Sequence, residues 1–194
     1  APPAEASLIA YLWPLLIVVM SAALPGERLR AVHLGGAVLG LAGVAVLALG
    51  RGDLTFSASH LAGYGLAFLS SFIWSSYSVL SRRMAHVPTG AVAGFCLATA
   101  GLALAVHLAV EQTVTPTPAA WAALIALGLG PVGAAFFLWD IGMKHGNIRL
   151  LGVASYAAPV ISTLALVLAG EASASLALAL ACGLIAIGAL IARG

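Results

Sequence analysis

Charge is what this sequence has least of. Asp, Glu, Lys and Arg make up 7 % of its 194 residues, where a soluble globular domain carries roughly 25 %. A chain that is also 62 % hydrophobic has too few polar groups to coat itself for water. That excludes the soluble classes and leaves an integral membrane protein. The net charge of +2 is too small for a nucleic-acid partner. Lysine occurs once, as Lys144 beside a loop, so no helix interior offers the amine a retinal-type Schiff base needs. Cys96 and Cys182 both lie in apolar runs and read as small packing residues, not as a disulfide. No CxxC or His/Cys cluster offers a metal site, so no metal and no cofactor is expected. Aspartate occurs only at Asp53 and Asp140, and no GxSxG with a partner histidine appears. An intramembrane enzyme therefore lacks its nucleophile and base, and no enzyme is expected. Pro2-Pro3-Ala4-Glu5, with no basic stretch before the first apolar run, does not read as a leader peptide.

What is present is a series of apolar runs. Breaks at Pro25–Arg30, Arg51–His60, Arg82–Pro88, Glu111–Pro118, Lys144–Asn147 and Gly170–Ala172 leave seven segments: 6–24, 31–49, 61–81, 90–110, 119–141, 148–169 and 173–192. Each approaches the roughly 20 residues a helix needs to cross the hydrocarbon core. Lipid offers the backbone no partners, and the alternation of a barrel is missing, so the segments are expected to be helices. The expected fold is all-α, with seven transmembrane helices. Arg28, Arg30, Arg82, Arg83, Lys144, Arg149 and Arg193 fall on one side and only Arg51 on the other. The positive-inside rule makes the richer side the cytoplasm and puts the C-terminus there. Gly36-x-x-x-Gly40, Gly90-x-x-x-Gly94 and Ala179-x-x-x-Gly183 allow close helix approach. They read as packing within a monomer, with a dimer seam as the alternative.

The chain repeats itself. AYLWPLLIVVMSAALPGE (10–27) and SYAAPVISTLALVLAGE (155–171) share Tyr-x-x-Pro, an apolar run and Gly-Glu. Aligning Tyr11 with Tyr156 and Pro14 with Pro159 gives an offset of 145. Five segments separate equivalent points, an odd number, so the two copies cross in opposite directions. That is the mark of an inverted-topology repeat, common among secondary transporters. Residues 1–50 then form the last two helices of a first repeat, 51–60 an external linker, and 61–194 a complete second repeat of five helices. A complete pair would hold three more helices ahead of residue 1.

YLWPLLIVVMSAALPGERLR (11–30) and FFLWDIGMKHGNIRLLGVASYAAPVISTL (136–164) resemble the drug/metabolite transporter superfamily, its EamA-type domains, and within it the aromatic amino acid exporter group. The resemblance covers nearly the whole chain. It implies a ten-helix 5+5 fold, of which this chain matches helices four to ten. It also implies a bacterial inner-membrane protein that exports aromatic and other neutral amino acids from the cytoplasm by alternating access through a midplane cavity. The alternatives are export of another small metabolite or drug within the superfamily, and a seven-helix receptor or scaffold that transports nothing.

The residues offer chemistry for such a path. Pro14 and Pro159 sit near mid-span, and each should kink its helix and serve as a hinge. In LSSFIWSSYSVLSRR (69–83), Ser70, Trp74, Tyr77 and Ser81 fall on one helical face, with Ser71, Ser75 and Ser78 beside it. Such a face does not prefer lipid. Rings and hydroxyls suit an amphiphilic solute, so Trp13, Trp74, Tyr77, Ser78 and Tyr156 are the expected cavity residues. Serines bonding their own helix is the plainer alternative. Trp139, Asp140 and Lys144 are the expected inner mouth, with Asp140 and Lys144 ion-paired at i, i+4. His107 and Glu111 pair alike at the outer side. Glu27 and Glu171 should tie helix ends to neighbouring backbone. Trp121 and Trp139 also suit interface anchoring. No carboxylate lies deep in a span, so proton coupling finds no support in these residues.

Overall fold

A computed structural model describes residues 1–50 and 54–193. Arg51 and Asp53, in the expected linker, and Gly194 lie outside the described residues. Ten α-helices account for most of the described chain, with no strand among the described residues. They are α1 (Pro3–Ala10), α2 (Trp13–Met20), α3 (Ala31–Leu49), α4 (Leu61–Arg83), α5 (Ala91–Val110), α6 (Pro118–Leu127), α7 (Ala135–His145), α8 (Ile148–Ala154), α9 (Ala157–Leu168) and α10 (Leu176–Ala192).

Proline divides three of the apolar runs. Each proline ring presses on the carbonyl four residues back and withholds an N–H. For Pro14 that carbonyl belongs to Ala10, the last residue of α1. For Pro159 it belongs to Ser155, in the turn between α8 and α9. Pro131 sits inside a π-helical turn, Gly128–Ala134, that joins α6 to α7, a break that the two paired prolines gave no reason to expect. The first run also starts earlier than expected, at Pro3, which brings Glu5 inside the first helix. Five stretches are long and apolar enough to cross a membrane: Pro3–Ala23, Ala31–Leu49, Ala91–Val110, Pro118–His145 and Ile148–Leu168. Leu176–Ala192 is apolar but 17 residues long. Leu61–Arg83 is long enough but diluted by serine.

The chain forms two compact units, one of Ala1–Arg83 with Asn147–Gly194 and one of Met84–Gly146. In the first, α3 lies along α10 at backbone contact. A Cβ on Gly36 would sit 2.5 Å from the carbonyl oxygen of Gly188, and one on Gly188 2.6 Å from that of Gly36. The Gly36–Gly40 motif thus packs inside this unit. Gly90, Gly94 and Gly183 have open space where a Cβ would stand. The seam carries the offset read from the motifs. Moving Gly36 forward and Gly188 back by 145 gives Ala181 and Gly43. A Cβ on Gly43 would lie 3.1 Å from the Ala181 carbonyl oxygen. The glycines of the two Gly-Glu pairs, at an offset of 144, also match in backbone: Gly26 has φ 81° and Gly170 φ 79°, and they are the positive-φ residues among those described. An L side chain is strained there.

α4 is built inside out by aqueous standards. Ser71, Ser75, Ser78 and Ser81 are buried, while Leu66, Leu69, Phe72, Ile73 and Leu80 are exposed. Buried hydroxyls beside exposed aliphatics fit an apolar solvent, where helix contacts use small residues and every polar group finds a partner. In the second unit α5 meets α7, and Phe95, Leu97, Leu102, Leu104 and Leu108 project outward from α5.

Candidate functional site

The paired breaks bring the aromatic residues of the first unit together. The turn at Tyr11–Leu12 sets Trp13 at the start of α2, where α2 packs on α4. Trp13 meets Trp74 edge to face, with centroids 6.4 Å apart and planes at 87°. Trp74 in turn lies 5.6 Å from Tyr77, tilted by 33°. All three are half-buried. Edge-to-face and offset arrangements are the favourable ones for ring quadrupoles, and the trio forms a half-buried aromatic cluster where α2 meets α4.

The serines do a different job. Ser75 Oγ stands 2.7 Å from the carbonyl oxygen of Ser71 and 2.9 Å from that of Trp13. Its one hydroxyl proton serves its own helix and the neighbouring break together. Ser71 donates to Phe68 O and Ser78 to Trp74 O, both at 2.8 Å. Ser78 is wholly buried. Tyr156 is wholly buried too. Its hydroxyl accepts from the backbone N–H of Leu15 at 3.2 Å, and its ring fills the space where Gly40 has no side chain. The structure therefore brings Trp13, Trp74 and Tyr77 into one cluster, ties Ser78 to the Trp74 carbonyl, and seats Tyr156 in the apolar core among α2, α3, α8, α9 and α10.

Charged side chains gather where helices end. Glu27 follows the left-handed Gly26 and reaches Arg149 at 3.0 Å and Arg82 at 3.7 Å. Its partners are guanidinium groups, not the backbone expected from sequence. The backbone ties are made by the arginines: Arg149 donates to the Arg28 carbonyl at 2.6 Å, and Arg83 donates to that of Ala23. A hollow of about 380 Å³ lies here, lined by Leu24, Pro25, Glu27, Arg82 and Arg83. Glu171 is exposed; its N–H bonds the Leu166 carbonyl at 2.9 Å. At the start of α1, buried Glu5 accepts from Thr55 N–H at 2.8 Å and from the Tyr64 hydroxyl. Glu5 had no role expected from sequence; a lone carboxylate just ahead of the first apolar run was the available signal.

In the second unit Asp140 and Lys144 form an ion pair at 2.6 Å, both nearly inaccessible. The Thr89 hydroxyl donates to the same Asp140 oxygen at 2.7 Å, and Lys144 donates to the Val87 carbonyl at 2.8 Å. The pair anchors the segment before α5 to α7. Trp139 is half-buried beside it, while Trp121 is exposed near the start of α6. His107 pairs with Glu111 at 2.6 Å near the protein surface. Cys96 and Cys182 are free thiols. Among the described residues no three His, Cys, Asp or Glu side chains gather as metal ligands.

Comparison with known proteins bears on this arrangement. The EamA-like transporter family matches residues 61–194. The aromatic amino acid exporter YddG of Ancylobacter novellus is 60 % identical over 99 % of this chain, and the chain spans 67 % of that exporter. YddG of Salmonella typhimurium is 30 % identical over 82 % of the chain, which spans 56 % of its length. A crystal structure of a protein 60 % identical superposes with a TM-score of 0.97, covering 99 % of this chain and 67 % of that one. The matched family and these relatives are transporters and not enzymes. This chain belongs to the EamA-like transporter family, within the drug/metabolite transporter superfamily.

Proposed function

We propose that the protein carrying this chain is a secondary transporter of the bacterial inner membrane. It exports aromatic and other neutral amino acids from the cytoplasm by alternating access between two inverted five-helix repeats. The observation that carries this reading is 60 % identity, over nearly the whole chain, to an aromatic amino acid exporter. The half-buried Trp13–Trp74–Tyr77 trio supports the substrate class, because an aromatic cluster suits a solute that carries a ring. Residues 1–50 supply the last two helices of the first repeat and residues 61–194 the second repeat. All seven apolar segments cross the membrane. The C-terminus is cytoplasmic, with Arg28, Arg30, Arg82, Arg83 and Arg149 on the same side. The shared offset of the α3–α10 seam and the matched left-handed glycines support the repeat. Pro14 and Pro159 act as the hinges. Trp13, Trp74 and Tyr77 meet the solute's ring, and Ser78 and Tyr156 hold the wall behind them. Trp139 and the Asp140–Lys144 pair form the inner mouth. The protein works as a monomer. Tracer flux in proteoliposomes holding the full-length protein tests the reading: phenylalanine, tryptophan and threonine should all move down their gradients.

A further inference from the structure

The half-helix α2 starts without a cap of its own. The first turn of a helix leaves backbone N–H groups with no partner inside it. Leu12, the residue at the N-cap of α2, has no side-chain acceptor, and Pro14 has no N–H to satisfy. The N–H of Leu15, third residue of the half-helix, goes instead to the hydroxyl of Tyr156, 141 positions away in sequence. That hydroxyl does for α2 what a Ser or Asp does at an ordinary N-cap. Its reach is fixed from behind by α3, since a Cβ on Gly40 would stand 2.3 Å from a ring carbon of Tyr156. Tyr156 itself occupies the N-cap position of α9, inside the second break. A side chain rooted in one break therefore closes the other.

We infer that Tyr156 is a positioning residue that couples the two helix breaks, so that the bends at Pro14 and Pro159 change together. The consequence for transport rests on the export reading above; the coupling itself does not. Bending at Ser155–Tyr156 moves the base of the ring and draws the hydroxyl off Leu15. An uncapped N–H there has no lipid partner to turn to. Movement of one break without the other is therefore penalised, and Tyr156 need not touch the solute.

The test uses the full-length protein in lipid nanodiscs and proteoliposomes. Tyr156→Phe keeps the ring in its seat on Gly40 and removes the hydroxyl. Amide hydrogen exchange over residues 12–16 should quicken about fivefold, the effect of losing one cap. Turnover should fall by a similar factor, with the half-saturating substrate concentration unchanged. Unchanged exchange over 12–16 overturns the coupling. So does unchanged turnover with weakened half-saturation, because that makes Tyr156 a ligand. If Tyr156→Phe does not fold, an amide-to-ester replacement at Leu15 removes the same donor while keeping its side chain, and it should give the same loss of turnover. With both variants folded, the double variant should be no slower than the slower single one, and additive losses contradict the inference. If the wild-type protein moves no amino acid, the export reading falls, while the exchange experiment still decides the coupling.

Discussion

Trp74 is held between two rings, edge-on to Trp13 and tilted against Tyr77, and that position sets what its loss should do. Replacing Trp74 or Tyr77 with Ala should lower flux about three- to tenfold, the range for one aromatic contact, with the melting profile retained. Unchanged flux would assign both rings to packing. Asp140 makes a different prediction. Asp140→Ala leaves Lys144 charged and nearly inaccessible, which costs about 3–5 kcal/mol, so thermal unfolding in detergent should shift well down. Asp140→Leu with Lys144→Met, which removes both charges, should recover most of that loss. Gly40→Ala forces a methyl onto the Tyr156 ring and should cost about 1–3 kcal/mol by overpacking. At this scale the sequence was partly legible. An i, i+4 spacing foretold the Asp140–Lys144 pair, and ring types with helical spacing foretold Trp74 beside Tyr77. Tyr156 was placed with them because a motif tyrosine beside a kink is as good a ligand as a wall. Only the Leu15 N–H and the missing Cβ of Gly40 reveal where it rests, and neither is a property of the Tyr-x-x-Pro pattern.

The helices carry the same contrast. The breaks between apolar runs located the seven helical stretches, five of which are long and apolar enough to cross a membrane. The breaks at Pro14 and Pro159 were legible from two facts, the missing N–H and the ring clash. The π-helical turn around Pro131 was not, since a single proline states that a helix bends and not how it absorbs the bend. The Gly-Glu pairs hold a further regularity. Gly26 and Gly170 share a left-handed backbone at equivalent helix ends, so Gly26→Ala and Gly170→Ala should each destabilise by about 1 kcal/mol. Open space surrounds both glycines, so the cost is one of backbone strain alone, and calorimetry on the two variants should give matching shifts. Glu27 should matter more than Glu171 to folding, because Glu27 joins the ends of α4 and α8 through Arg82 and Arg149.

Across the whole molecule, a shortage of charge pointed to the membrane, and the distribution of the few charges carries the proposed orientation. The orientation has a direct check in intact cells. A single cysteine from Ala172→Cys, in a background without Cys96 and Cys182, should react with an impermeant thiol reagent applied outside. One from His86→Cys should react only after the membrane is opened. The offset of 145 that aligns the motifs reappears as the symmetry of the α3–α10 seam. That seam supports the repeat proposed from one sequence comparison. What that comparison did not reach was the ionic and hydroxyl detail at the helix ends. Glu5 with Tyr64 and Thr55, like Glu27 with its arginines, joins residues far apart in sequence that no periodicity connects. The measurement that bears most directly on the export reading is tracer flux through the full-length protein in liposomes, compared with its Trp74→Ala variant. The wild type should move phenylalanine, tryptophan and threonine, and the variant should move them more slowly. Liposomes in which none of the three moves, with the protein folded and inserted, would contradict it.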